Sequence, residues 1–239
     1  MRITPQISSA AIIALGNFNP LIFRPDWFRD KEIVVGGDFD GIQVDIIHSE
    51  ICTFRLPWGQ IHVDRDRFSI TALREPIVRA QDFFVRTFQN LPETPIIAVG
   101  VNRDVHFPAG NRPAFDYVGD MLAPKEFWGD FLRKEDGARC GGLRSLVVEQ
   151  AEAAEGRPKR LDGLFGYVRA HVEPSLRGVP HGIYVLINNH IDLVDGDHRA
   201  DGRKVAEVVS EKWDSCMEMS ESLIDKIMEL ASSYGTTAR

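Results

Sequence analysis

The chain has 239 residues, 44% of them apolar, and carries 35 acidic against 28 basic side chains for a formal net charge of −7. That length supports a sizeable core, and an acidic balance mixed along the chain excludes broad binding to a phosphate backbone, which needs a basic face. Cys52, Cys140 and Cys216 are odd in number and far apart, so free thiols in a reducing compartment are expected rather than a disulfide frame or a zinc site.

The first element is the apolar run Ser9 to Leu15, which predicts a strand buried on both faces. Gly16-Asn17-Phe18-Asn19-Pro20 ends it. Asn19 is placed to cap a short helix begun by Pro20 and carrying Leu21, Ile22, Phe23, Trp27 and Phe28, with Pro25 limiting its length. Lys31-Glu32-Ile33-Val34-Val35 reads as a further strand, and Asp38-Phe39-Asp40-Gly41 as the loop after it. The best-defined stretch runs from Gly41 to Phe107. Ile51 to Leu56 forms a strand, Pro57-Trp58-Gly59 turns, and Ile61/Val63 then Phe68/Ile70/Ala72 place apolar residues at period two. Ile77, Ala80, Phe84 and Phe88, broadened by Phe83 and Val85, recur at helical spacing after Pro76. Pro92 and Pro95 close that helix, and Ile96 to Val101 is apolar enough for a central strand.

Beyond Phe107 the composition changes. Pro108 to Pro124 holds three prolines and few periodic apolar residues, so it reads as a loop or linker. Phe127, Trp128, Phe131 and Leu132 predict a short helix ending near Gly137. Strands are expected over Leu143 to Ala151 and Leu161 to Val172, flanking a hairpin tip at residues 153–160, and again from Ile183 towards Leu193. Val205, Val209, Cys216, Leu223, Ile227 and Leu230 mark one face of a final helix from about Arg203 to Ser232, roughly 40 Å long at ~1.5 Å per residue. The organisation is therefore an N-terminal α+β half (1–107), a linker with a short helix (108–140) and a C-terminal meander with a long helix (141–239). Two strand-rich halves with a ferredoxin-like rhythm, each closed by a helix and sharing one antiparallel sheet, give an α+β fold class.

Ile61-His62-Val63-Asp64-Arg65-Asp66-Arg67-Phe68, the following helix, Val99-Gly100-Val101-Asn102-Arg103 and the Asn189-His190 strand before a long terminal helix resemble a sporadically distributed bacterial family of about this length. That family has no established function. It departs from the pattern at the helix start, where the family carries a Trp-Arg pair and this chain has Ala72-Leu73-Arg74. The resemblance implies a cytoplasmic prokaryotic protein, sometimes encoded near mobile or antiviral defence genes. It brings no catalytic residues with it.

Four constellations bear on chemistry. His190, Asp192, Asp195, Asp197 and His198 crowd one loop, and such carboxylates and imidazoles suit a divalent cation that activates water for a hydrolase or nuclease. The same loop also reads as a polar turn with Asp201 capping the last helix. Asp38, Asp40 and Asp45 resemble the start of a calcium loop, but the acidic ligand fails to fall where Ser49 stands, so a turn is expected. Arg157, Lys159 and Arg160 make a basic hairpin tip able to meet nucleic acid, and Arg55, His62 and Arg67 a basic sheet face. No phosphate-binding glycine loop or serine nucleophile elbow is present, and no cofactor is implied.

The reading these features favour is a non-catalytic interaction or regulatory subunit acting through assembly with itself or another protein chain. Trp213, Met217, Ile224 and Met228, on a helix apolar over much of its circumference, are the expected interface, with Trp58 and Trp128 as further exposed aromatics. The N-terminus lacks the apolar run of a signal peptide and no stretch approaches membrane-spanning length, so a cytoplasmic protein without a membrane partner is expected.

Overall fold

The computed structural model describes residues 3–138, 140–154, 157–194 and 200–237. Strand β1 (Ile7–Gly16) leads through two short helices, α1 (Pro25–Asp30) and α2 (Gly37–Asp40), into a meander of β2 (Gln43–Ile47), β3 (Ile51–Leu56), β4 (Gly59–Asp64) and β5 (Arg67–Ala72). Helix α3 (Arg79–Gln89) precedes the 13-residue strand β6 (Ile96–Pro108). Helix α4 (Arg112–Leu122), a 3₁₀ segment (Lys125–Leu132), β7 (Leu146–Gln150), β8 (Glu152–Ala154), β9 (Arg157–Lys159), β10 (Gly166–Pro174) and β11 (Gly182–Asp192) follow, and the 36-residue α5 (Gly202–Thr237) comes last. Nine strands form one sheet in the order β2-β3-β4-β5-β1-β6-β11-β10-β7, with every neighbouring pair antiparallel. The two strand-rich halves share this sheet, and the fold is α+β.

Alternation along the strands sorts the two faces. Ala10, Ile12 and Ala14 of β1, Phe68 and Ile70 of β5, and Val185 and Ile187 of β11 are fully buried on the face that carries α1, α3, α4 and α5. Their strand neighbours point the other way and are polar or half-exposed. β1 is thus buried on one face rather than both. Among the described residues, no helix packs on that second face.

The aromatic stripe of α3 behaves as its spacing predicts. Phe84 and Phe88 lie 4.6 Å apart, and Phe68 of β5 meets both, at 5.8 and 5.1 Å. Phe28 of α1 stands 4.8 Å from Phe83 and 5.8 Å from Phe54, so the first short helix locks onto the same cluster. Here Pro25 opens α1 at its first turn instead of shortening a helix begun at Pro20; Asn19 accepts from the Leu21 N–H (3.2 Å) and caps only a turn. Lys31–Val35 is not a strand. Ile33 and Val34 both donate to the Phe28 carbonyl (2.9 and 3.2 Å), which folds that stretch back as a helix terminus, although its two apolar residues are still buried. Asp38–Asp40 lies in α2, where Asp38 pairs with Arg79 of α3, so this is no cation loop.

The stretch read as a linker is the largest difference. Asn111 caps α4 by accepting from the Ala114 N–H (2.9 Å), Pro113 sits in the first turn, and Ala114 and Val118 bury one face against α5. The apolar residues fall into two clusters. One joins α1, α3 and the first half of α5 to the meander; the other joins α4 and the second half of α5 to β6, β10 and β11. Between them runs a polar seam. Arg103 of β6 reaches Glu221 of α5 (2.6 Å), and Asn189 of β11 donates to Ser220 (3.0 Å) and to the Val101 carbonyl (3.2 Å). The thiols of Cys52 and Cys216 are free and buried, and burial pushes that of Cys52 up to about 11; Cys140 is free and half-buried.

Two outcomes follow for stability. Phe84→Ala loses roughly 3–5 kcal/mol in denaturant unfolding, the range for truncating a buried aromatic, and an unchanged midpoint refutes its place in the core. In the seam, Arg103 is 5% exposed and Glu221 28%. Glu221→Ala therefore strands a buried cation at a cost of about 3 kcal/mol, whereas Arg103→Met leaves a carboxylate that can reach water and costs less. Equal losses in the two variants contradict that asymmetry.

Candidate functional site

The acidic and histidine loop begins where β11 ends. Register pairs His190 with Tyr167 of β10, and the two rings stack at 4.6 Å and 13°. His190 Nε2 lies 3.0 Å from Asp192 Oδ1, so both side chains already have partners within the chain. Asp195, Asp197 and His198 lie outside the described residues. Among those described, no group of three or more His, Cys, Asp or Glu side chains is placed to hold a metal. Asp201 caps α5 by accepting from the Lys204 N–H (2.8 Å).

The basic tip does not present its cations together. β8 and β9 pair as a small two-stranded hairpin outside the main sheet. Arg160 is 3% exposed, held by Asp162 at 2.9 Å and donating to the His190 carbonyl at 3.4 Å. Arg157 donates to the Val194 carbonyl (2.6 Å) and lies 4.4 Å over Phe165. Two of the three expected nucleic-acid contacts thus fasten the hairpin to the end of β11, and Lys159 alone of the three makes no such side-chain contact among the described residues.

The interface expected on α5 is also corrected. Trp213, Met217, Ile224 and Met228 are at most 8% exposed and lie within the two cores of the chain itself. The wide apolar circumference has an internal cause: α5 meets the sheet on one side, α3 along its first half and α4 along its second. Trp58 is buried too, beneath the Arg79 guanidinium at 4.4 Å.

The open face of the sheet carries four of the histidines. His62 sits beside Thr53 (3.0 Å); His106 is bound to Ser175 Oγ (2.8 Å) and lies 4.6 Å from Tyr184; His171 is bound to Ser145 (2.8 Å); His190 completes the set. At its centre Gly100, Asn102 and Asn188 lie side by side, and the buried Asn188 Oδ1 has no hydrogen-bond partner among the described residues. Arg55 and Arg67 do lie here, but Asp45 neutralises Arg55 (2.8 Å) and Asp64, Asp104, Asp192 and Glu173 share the face, so it is not basic. Burial pushes the Tyr184 phenol up to about 12, and burial lowers the His106 imidazole against the opposing pull of Asp104.

Because the folded chain resists protonating His106 while the unfolded chain accepts a proton near 6.5, His106 costs stability progressively as pH falls below that value. His106→Gln removes this contribution, so its melting midpoint falls less than that of the wild type between about pH 7 and pH 5. Parallel pH profiles refute it.

The outward-facing apolar surface lies elsewhere, around β7. Phe127 and Phe131 in the 3₁₀ segment are 86% and 79% exposed, Trp128 is half-exposed, and Val147 and Val148 of β7 are both more than half-exposed. Trp128 and Phe131 line the same groove as Leu143 and Leu146, which joins the aromatic segment to the start of β7. Among the described residues β7 pairs on one side only, with β10, and its register is unbroken. The opposite edge, β2, is interrupted by a bulge between Val44 and Ile46. The sequence signal for this surface is Leu146-Val147-Val148, an apolar run without alternation beside a cluster of aromatics. The chain matches no family model and no curated protein.

Proposed function

We propose that this protein is a non-catalytic assembly subunit that pairs with a second copy of itself through the free edge of β7. The observation that carries the reading is a regular, unpaired edge strand bearing Val147 and Val148 on its two faces, flanked by the exposed Phe127, Trp128 and Phe131. Sheet edges present a row of unpaired N–H and C=O groups, and proteins ordinarily blunt them with a bulge, a proline, a lysine or a cover. β2 has its bulge and the Asp45–Arg55 pair. β7, reading Leu146-Val147-Val148-Glu149-Gln150, carries no lysine, proline or bulge.

The strand is self-complementary. A two-fold axis at Val148 sets Val148 opposite its own copy, Leu146 opposite Gln150 and Val147 opposite Glu149. No like charges face each other across the ladder, and Glu149 is already neutralised by Arg169 at 2.6 Å. Trp and Phe side chains left in water beside such an edge suit the anchor positions of an interface, where aromatic residues concentrate binding energy. An isologous contact of this kind closes at two copies and does not propagate as fibres.

The test is solution mass by light scattering and native mass spectrometry. Wild type is expected at twice 26.9 kDa. Val148→Lys sets two ammonium groups against each other at the axis and is expected to give a monomer with an unchanged melting midpoint, since Val148 contributes little to the core. A wild type that stays monomeric at every accessible concentration, or a Val148→Lys variant that remains dimeric, overturns the proposal.

A further inference from the structure

Beside α4 lies a cavity of about 300 Å³ that the two cores do not fill. Phe115 and Val118 of α4 form one wall, and Val172 of β10 and Ile183 of β11 form the floor. Val118, Val172 and Ile183 are each nearly fully buried, so this is an opening into the second core rather than a surface dimple. Its volume is at the lower end of the range for small-molecule sites, and its apolar lining with a few polar groups at the rim is typical of them.

The rim is built by the chain between the 3₁₀ segment and β7. Gly141 has φ +99°, a conformation that a side chain strains, and a Cβ there would stand 3.1 Å from Leu132 Cδ2. The next residue, Gly142, lies against the Lys125 side chain, whose Cε would stand 3.6 Å from a Cβ there. Among the described residues, three cations and the carboxylates Asp116 and Glu173 line the opening; Glu173 lies 3.3 Å from His171 Nε2, and two of the cations are engaged, Arg112 with Asp116 at 2.8 Å and Lys125, whose side chain is only 10% exposed, with Asp120. Arg144 is exposed and has no ion-pair partner among the described residues. An uncommitted guanidinium at the mouth of an apolar hole, in a chain of net charge −7, is a recognition element for one kind of ligand. Its planar fork matches a carboxylate with two hydrogen bonds, and the wall behind it takes a hydrocarbon body.

We propose that this cavity binds a small amphipathic carboxylate, its head on Arg144 and its aliphatic or aromatic body against Phe115, Val118 and Ile183. A cationic amphiphile sets like charge against the rim. A neutral one forgoes the charged contact, and a nucleotide carries polar edges that the apolar floor leaves unpaired. The site shares Arg144 with the aromatic groove beside β7 but does not require the β7 pairing. Octanoate, 1-octanol and octylammonium serve as probes by isothermal titration calorimetry on the full chain. Octanoate is expected to bind at one site per chain, octanol more weakly and octylammonium without saturable heat. Arg144→Glu, a surface change that leaves the melting midpoint in place, weakens octanoate about tenfold or more, and Val118→Trp, which fills the hole, abolishes binding. The Val148→Lys chain retains octanoate binding whatever its mass, so the two proposals fail separately. Absence of saturable octanoate binding, or equal octanoate affinity in wild type and Arg144→Glu, overturns the assignment.

Discussion

The docking of α5 across the central strands is the contact on which the remaining architecture depends. One helix of 36 residues covers both halves of the sheet, and its position along its own axis is set in the middle rather than at the ends. Ser220 and Glu221 are consecutive, and they meet Asn189 of β11 and Arg103 of β6, two adjacent strands. Arg103 also donates to the Ser9 and Asp104 carbonyls (2.9 and 3.0 Å), so the guanidinium ties β1 and β6 to the helix at one point. Buried ion pairs add little net stability against a well-packed apolar alternative, but a displaced partner leaves an uncompensated charge. Sliding α5 by one turn would do that to Arg103. The polar seam therefore selects one alignment, and that alignment places Val205 to Met217 over one core and Ile224 to Ala231 over the other.

With every packed helix committed to one face, the sheet itself, among the described residues, is left with an open face and two edges. The open face combines a neutral centre of Asn102 and Asn188 with acidic and histidine side chains around it, and its polar groups largely satisfy one another across the strands. The edges differ more sharply. At β2 the bulge and the Asp45–Arg55 pair break the ladder, whereas at β7 the ladder is regular and its side chains are apolar. That contrast between two ends of one sheet is what singles out β7.

Much of the N-terminal half was legible because its local and tertiary preferences agree. Ile61/Val63, Phe68/Ile70 and the Phe83/Phe84/Phe88 stripe each bury the face their spacing marks. Ile33 and Val34 misled in a specific way: they are buried as a strand's residues would be, but by a chain reversal onto Phe28, which has no periodicity to read. α4 was hidden by its two flanking prolines, Pro108 and Pro124, although Asn111-Arg112-Pro113 carries a cap and a first-turn proline. Residues 213–228 show the limit of an amphipathic argument. Breadth of apolar surface tells how much a helix buries, not whether a neighbouring helix or another molecule does the burying. Arg160 makes the same point for charge, since nothing in Arg157 to Arg160 foretells Asp162 and the His190 carbonyl as its partners.

The excursion between β6 and β7 carries both the aromatic surface and one wall of the cavity, and both proposals rest on it. Val118 is the last fully buried residue of α4, and Leu122 at its end packs half-buried against the second core. From Glu126 to Leu132 no residue is buried, so this stretch adds little to the folding free energy while exposing two phenylalanines to water. Exposed apolar clusters of this kind invite aggregation, and a chain that needed only to connect α4 to β7 has shorter and more polar ways to do so. The same segment turns the glycine-bearing strand of chain towards Lys125 and brings Arg144 to the mouth of the cavity, two residues before β7 begins. Stability accounts for the sheet, the seam and the two cores; the proposed pairing and the proposed ligand site both draw on what this excursion adds to them.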